Sequence, residues 1–251
     1  MAHTTFDLKS STWKPLYRVG GAAALLAALV FRRNIGAEVS LFSGPMPLAS
    51  AADWFALLQN RPLIGAAFLA VFDLVDYALV GLMLLAVCAA FWQSHKSAAA
   101  IALASGLVGI ATSFASNITL PMFSLSQQYA AATSEAQRAM LLAAGQALLA
   151  LNNPTGLYPG TGAYLSLLLL AIAGLIVSVL MLRSRLFSRA TAYVGLLASA
   201  CDLVYGVTFA FAPFLTVYLL ASGGLLLMIG HILVGLRLWR LAHAISSEDE
   251  K

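Results

Sequence analysis

Residues 161–182, Thr-Gly-Ala-Tyr-Leu-Ser-Leu-Leu-Leu-Leu-Ala-Ile-Ala-Gly-Leu-Ile-Val-Ser-Val-Leu-Met-Leu, carry no charged side chain. A block of about 20 apolar residues matches the hydrocarbon thickness of a bilayer. Similar blocks recur along the 251-residue chain, which is 61% hydrophobic and only 10% charged. Soluble domains carry about 25% charged residues, so this chain cannot cover a water-facing surface. The expected fold is all-α, a bundle of six transmembrane helices at about residues 16–31, 62–92, 97–120, 161–182, 190–212 and 214–239.

The blocks divide the chain into a polar, disordered N-terminus at 1–15, a membrane domain at 16–242 and an acidic tail at 243–251. The first apolar run is short enough for a signal peptide. However, Arg32-Arg33 stands where a small-residue cleavage site belongs, so we read an uncleaved span. Two long loops, 32–61 and 121–159, interrupt the spans. In the first, Gly44-Pro45-Met46-Pro47 reads as a turn, and Ser50 with Asp53 has the form of a capping box ahead of Trp54 and Phe55. In the second, Ser134 with Gln137 repeats the pattern. Ala136, Met140, Ala143, Ala147 and Leu151 then follow on one helical face, ended by Asn152-Asn153-Pro154. Each loop should carry a short interfacial helix, with Trp54 at headgroup depth.

Orientation follows from the basic residues. With the N-terminus inside, Lys9, Lys14, Arg18, Lys96, Arg183, Arg185, Arg189, Arg237, Arg240 and Lys251 are cytoplasmic, and Arg32, Arg33, Arg61 and Arg138 are external. This distribution puts both termini in the cytoplasm of a cell with the chain in its inner or plasma membrane, and both long loops outside.

Ionisable side chains at bilayer depth cost roughly 2.5–3.5 kcal/mol each on the insertion scale and face the bundle interior. Four lie at such depth: Asp73, Asp76, Asp202 and His231. At about 1.5 Å per residue, Asp73 and Asp202 lie about 15–16 Å below the outer edge, Asp76 about 21 Å and His231 about 25 Å. Ala66, Ala70, Asp73 and Tyr77 share a face, Ala198, Asp202 and Gly206 are spaced by four, and Gly224, His231 and Gly235 share another face. Small residues mark helix–helix contacts in membranes, so each ionisable group sits on a packing stripe. Tyr77, Asn117 and Tyr205 are the supporting polar residues. The four groups form a candidate proton, cation or substrate site, with hydrogen-bonded helix glue as the plain alternative. Ser105, Gly109, Ser113 and Asn117 read as a packing stripe in the third span.

Other chemistries find no support. There is no Walker loop, HExxH or GxSxG pattern. No span contains the buried lysine that retinal requires. His95 belongs at the surface, about two turns from the depth of His231, which argues against a bis-histidine haem. Cys88 and Cys201 read as packing residues. No cofactor, metal or nucleic-acid partner is expected. The expected partners are the lipid bilayer, a small molecule or ion, and a second copy or a membrane-complex subunit.

Phe72-Asp73-Leu74-Val75-Asp76-Tyr77, Asn152-Asn153-Pro154 and Gly230-His231-Ile232-Leu233-Val234-Gly235 fall at set places in this span layout. Over residues 15–242 the pattern resembles a family of uncharacterised bacterial six-helix integral membrane proteins, a domain of unknown function. That resemblance implies fold and location only. Two functional expectations stand side by side: a small transporter or permease with a midplane acidic site, and a non-transporting sensor or assembly subunit whose external cap binds a partner. An enzyme is the less favoured class, since no nucleophile or metal set is recognisable. Asp73-Leu74-Val75 and Asp202-Leu203-Val204, with Arg61 and Arg189 upstream, further suggest two three-span halves inverted relative to each other.

The topology is testable by single-cysteine labelling from outside, in a background lacking Cys88 and Cys201. A cysteine at position 130 should react in intact cells and one at position 3 should not; the reverse result would invert the orientation.

Overall fold

The computed structural model describes residues 13–43, 48–152, 160–184 and 186–249, all of them helix or short connections. The helices are α1 (Lys14–Ser43), α2 (Ala51–Asn60), α3 (Pro62–Phe68), α4 (Val71–Phe91), α5 (Lys96–Ser116), α6 (Thr119–Ala131), α7 (Glu135–Leu151), α8 (Thr161–Arg183), α9 (Arg189–Phe211) and α10 (Pro213–Asp249). Among the described residues five stretches are long and apolar enough to cross a membrane: Val71–Phe91, Lys96–Ala131, Thr161–Arg183, Arg189–Thr208 and Tyr218–Ala244.

Six long helices close a ring in chain order. α1 packs on α4, α4 on α5, α5 on α8, α8 on α9, α9 on α10, and α10 returns to α1. Close approach is achieved with small residues, as expected where lipid removes any hydrophobic drive between helices. A Cβ on Gly20 would lie 2.2 Å from the Ala86 Cβ, and one on Gly21 3.1 Å from the Gly235 carbonyl oxygen, so α1 wedges against both neighbours. α8 and α9 interlock reciprocally: a Cβ on Gly174 would meet Ser199 Oγ at 2.3 Å, and one on Gly195 would meet Ser178 Oγ at 2.5 Å. Ser105 Oγ donates to the Leu169 carbonyl at 2.9 Å, and Gly109 backs onto the Ser166 carbonyl. That part of the third-span stripe is therefore packing.

The ring order excludes the inverted repeat. A two-fold axis in the membrane plane reverses the sense in which helices follow one another around a ring. Here α1→α4→α5 and α8→α9→α10 progress in the same sense, so the two halves cannot superpose. The three-residue match is a coincidence of Leu/Val-rich sequence.

Four boundaries differ from the sequence reading. Helix α1 runs through Arg32-Arg33 to Ser43, because the end of an apolar run is not the end of a helix; the turn expected at Gly44–Pro47 lies outside the described residues. The span expected at 62–92 is broken at Leu69-Ala70. The span expected to stop at Pro121 breaks earlier, at Asn117-Ile118, and helix resumes as α6. Pro121 is the third residue of α6, where its missing amide is one of the donors a helix start leaves unpaired anyway. At the other end α10 continues to Asp249, so the tail begins as helix.

Helices α2, α3, α6 and α7 form a cap with its own core of Trp54, Phe55, Leu58, Leu69, Met122 and Leu149. α2 starts at a complete capping box, in which Ser50 Oγ accepts from the Asp53 amide and Asp53 accepts from the Ser50 amide. The Ser50 contacts hold the Asp53 carboxyl below its usual range. Ser134 Oγ likewise accepts from the Gln137 amide at the start of α7. One expectation changes here. Trp54 is wholly buried rather than placed at the lipid headgroups, where α2 packs against α6 and α7. α7 turns Leu141, Gly145 and Leu149 inward, and the stripe of Ala136, Met140, Ala143, Ala147 and Leu151 faces out of the protein. The helix is apolar on two faces, and Gly145 selects the inner one by admitting the Phe55 ring.

In a variant whose sole tryptophan is Trp54, emission should be blue-shifted and resist both aqueous quenchers and shallowly brominated lipids. Efficient quenching by either would show that the cap core is open. Gly20→Ala alone should destabilise by about 1–3 kcal/mol through overpacking. Adding Ala86→Gly should recover most of that loss in detergent melting curves; no recovery would refute the contact.

Candidate functional site

Within the ring, α4 also touches α8 and α10 across the interior. It thereby carries its polar face into the centre of the bundle. Asp73 lies in the first turn of α4, half-buried, its amide bonded to the Ala70 carbonyl at 3.2 Å. Asp76, almost one turn deeper, is 7% exposed. Tyr77 follows and is the meeting point of the site. It lies close enough to Asp73, Asp76 and Asp202 to feel the charge of each, and it neighbours Ser166 of α8. Asp202 reaches in from α9, with its Oδ1 against Gly223 of α10, where a Cβ would come within 3.3 Å.

Three of the four predicted ionisable residues therefore converge. The fourth, His231, is buried on α10, eight residues along the helix from Gly223, the residue that Asp202 faces, which is about 12 Å at helical rise. Tyr205 is on α9 one turn beyond Asp202 and half-buried. Asn117 does not continue the α5 packing stripe; it stands at the break between α5 and α6 and donates from Nδ2 to the Ala70 carbonyl at 3.1 Å.

Buried polar atoms in proteins are almost always paired. Here Asp76 Oδ1 and His231 Nδ1 are buried without a hydrogen-bond partner. Asp76 belongs to the converging group. Four helices of the ring carry no positive charge at this depth: the sequence has no Lys or Arg in 71–91, 161–182, 190–211 or 213–236. A carboxylate held this way must be neutralised by a proton or a cation, since burying an isolated charge is prohibitive. Among the described residues no three His, Cys, Asp or Glu side chains converge closely enough to hold a metal ion. The acids surround Tyr77 instead of pointing at one centre.

Ser166 and Thr119 were missed by sequence reasoning. Both are lone hydroxyls in apolar helices, indistinguishable in sequence from the many that bond back to their own helix, as Thr112 does to the Val108 carbonyl at 2.8 Å.

Composition and fold together define the class: a multi-pass helical membrane protein. No protein-family model, curated protein or solved structure matches the chain significantly.

Proposed function

We propose that this chain is a small transporter-like protein in which Asp76, with Asp73, Asp202, Tyr77 and Ser166, forms an internal site that binds and releases a proton or a small monovalent cation. The observation that carries this reading is the unpartnered Asp76 Oδ1, 7% exposed and almost one turn from a second carboxyl, Asp73, on an apolar span. Burial of a carboxyl in low dielectric disfavours its charged form, and intramembrane carboxyls that change protonation are the working parts of proton relays. His231 lies further along α10 toward Arg237 and serves as a separate proton stop on the inner side. In this reading α1 is the sixth span, both termini are cytoplasmic, the cap is external, and the chain belongs with the uncharacterised bacterial six-helix proteins it resembles.

The rival reading, a subunit whose cap binds a partner protein, draws on the exposed apolar stripe of α7, where Met140 is 63% and Leu151 69% exposed. It would be carried by co-purification of a partner at fixed stoichiometry.

Infrared titration in vesicles separates a working site from structural glue. The wild type should show a carboxyl band titrating between about pH 5 and 8, where relay groups operate. Asp76→Asn should fold normally, lose that component and slow pH-driven cation or proton flux by roughly tenfold or more, about 1.4 kcal/mol per decade. A chain with no carboxyl titrating in this window, or an Asn variant with unchanged titration and flux, would overturn the proposal.

A further inference from the structure

Two helix breaks face each other directly above the acid site. On one side, α3 ends and α4 begins at Leu69-Ala70, with Ala70 at φ 66° and ψ 37°. It is the one non-glycine residue with positive φ among the described residues. On the other side, α5 ends and α6 begins at Asn117-Ile118.

Each break exposes carbonyls that neither lipid nor helix can satisfy, and the breaks satisfy one another. Asn117 Nδ2 donates to the Ala70 carbonyl at 3.1 Å. Thr119 Oγ1, 1% exposed, donates to the Leu69 carbonyl in a short contact. The Asn117 Oδ1 accepts from the Thr119 amide at 3.0 Å, which fixes the orientation of the Asn side chain. On the α5 side, Asn152 Nδ2 donates to the Ser116 carbonyl at 2.9 Å and ties in the end of α7. The Ala70 carbonyl also receives the Asp73 amide. The same oxygen is therefore shared between the clamp and the first turn of the helix that carries both acids. Asp76 lies six residues, about 9 Å, below it.

We propose that this paired break is the outer latch of the acid site, with Asn117 and Thr119 as positioning residues that hold the N-terminal end of α4 closed over Asp76. The proposal rests on the preceding reading for what the latch guards, but not for the latch itself. A left-handed alanine costs roughly 1–2 kcal/mol, so release of the two clamping bonds lets Ala70 relax toward ordinary backbone. The cap helices α3 and α6 then swing as a pair. Strained backbone held by its surroundings clusters at such switch points.

The test uses the full chain in right-side-out vesicles, lacking Cys201 and carrying Asp76→Cys as reporter. Native Cys88, buried near the inner end of α4, is the internal control. A membrane-impermeant thiol reagent should label position 76 slowly with the latch intact. Asn117→Ala or Thr119→Ala should accelerate labelling about tenfold, while Cys88 stays slow. Thr119→Ser keeps the hydroxyl and should behave as the parent. Asn117→Leu, close in size and without any donor, loses the bond to Ala70 and should label fast; it serves where the alanine variant fails to fold. Unchanged labelling in the Asn117 and Thr119 variants would overturn the latch, as would equal acceleration at Cys88, which means general loosening. If the latch variants respond while no carboxyl titrates, the latch stands and the proton reading falls. If carboxyls titrate while labelling is indifferent to Asn117 and Thr119, the reverse holds.

Discussion

The structure depends on one constraint: a carbonyl released by a helix break within or beside a membrane must find a donor in the protein. The Leu69 and Ala70 carbonyls find theirs in Thr119 and Asn117. That pairing sets where α4 starts, and so the depth and direction of Asp73 and Asp76. It also ties α3 to α6, and through Asn152 to α7, so the cap is assembled on the same contact that positions the acids.

The two cores use different physics. The ring is held by small residues that let backbones approach, with Gly20 against Ala86 and the Ser–Gly exchanges between α8 and α9. The cap is held by large side chains, and its Phe55 and Tyr129 rings sit 5.5 Å apart. Side-chain-to-backbone bonds stitch its helices together, Gln59 to the Ser126 carbonyl at 3.0 Å and Ser126 to the Phe55 carbonyl at 3.2 Å. The cap thus has a packed core of its own, while the ring is fixed at close glycine contacts.

The interior polar group follows from this geometry. α4 lies toward α8 and α10 across the ring, so Tyr77 meets Ser166 and shares surroundings with Asp202. His231 shares the burial, eight residues along α10 from the glycine that Asp202 faces.

The sequence alone determined the class, the membrane blocks and the acids that belong inside, because charge depletion and block length are properties of the chain and an ionisable group in lipid has few places to go. Ser50 with Asp53 was legible for the same reason, since a helix start is a local event. Tertiary structure alone decided the rest. Nothing around Leu69-Ala70 forbids a continuous helix; the break is stabilised by donors 47 and 50 residues away. Trp54 looked like an interfacial anchor until α6 and α7 covered it. Asp73-Leu74-Val75 and Asp202-Leu203-Val204 looked like a repeat until the ring fixed their handedness. Which interior groups meet could not be read from the chain, because helix adjacency and register depend on which small residues meet across a contact, and periodicity along one helix carries no information about its neighbour.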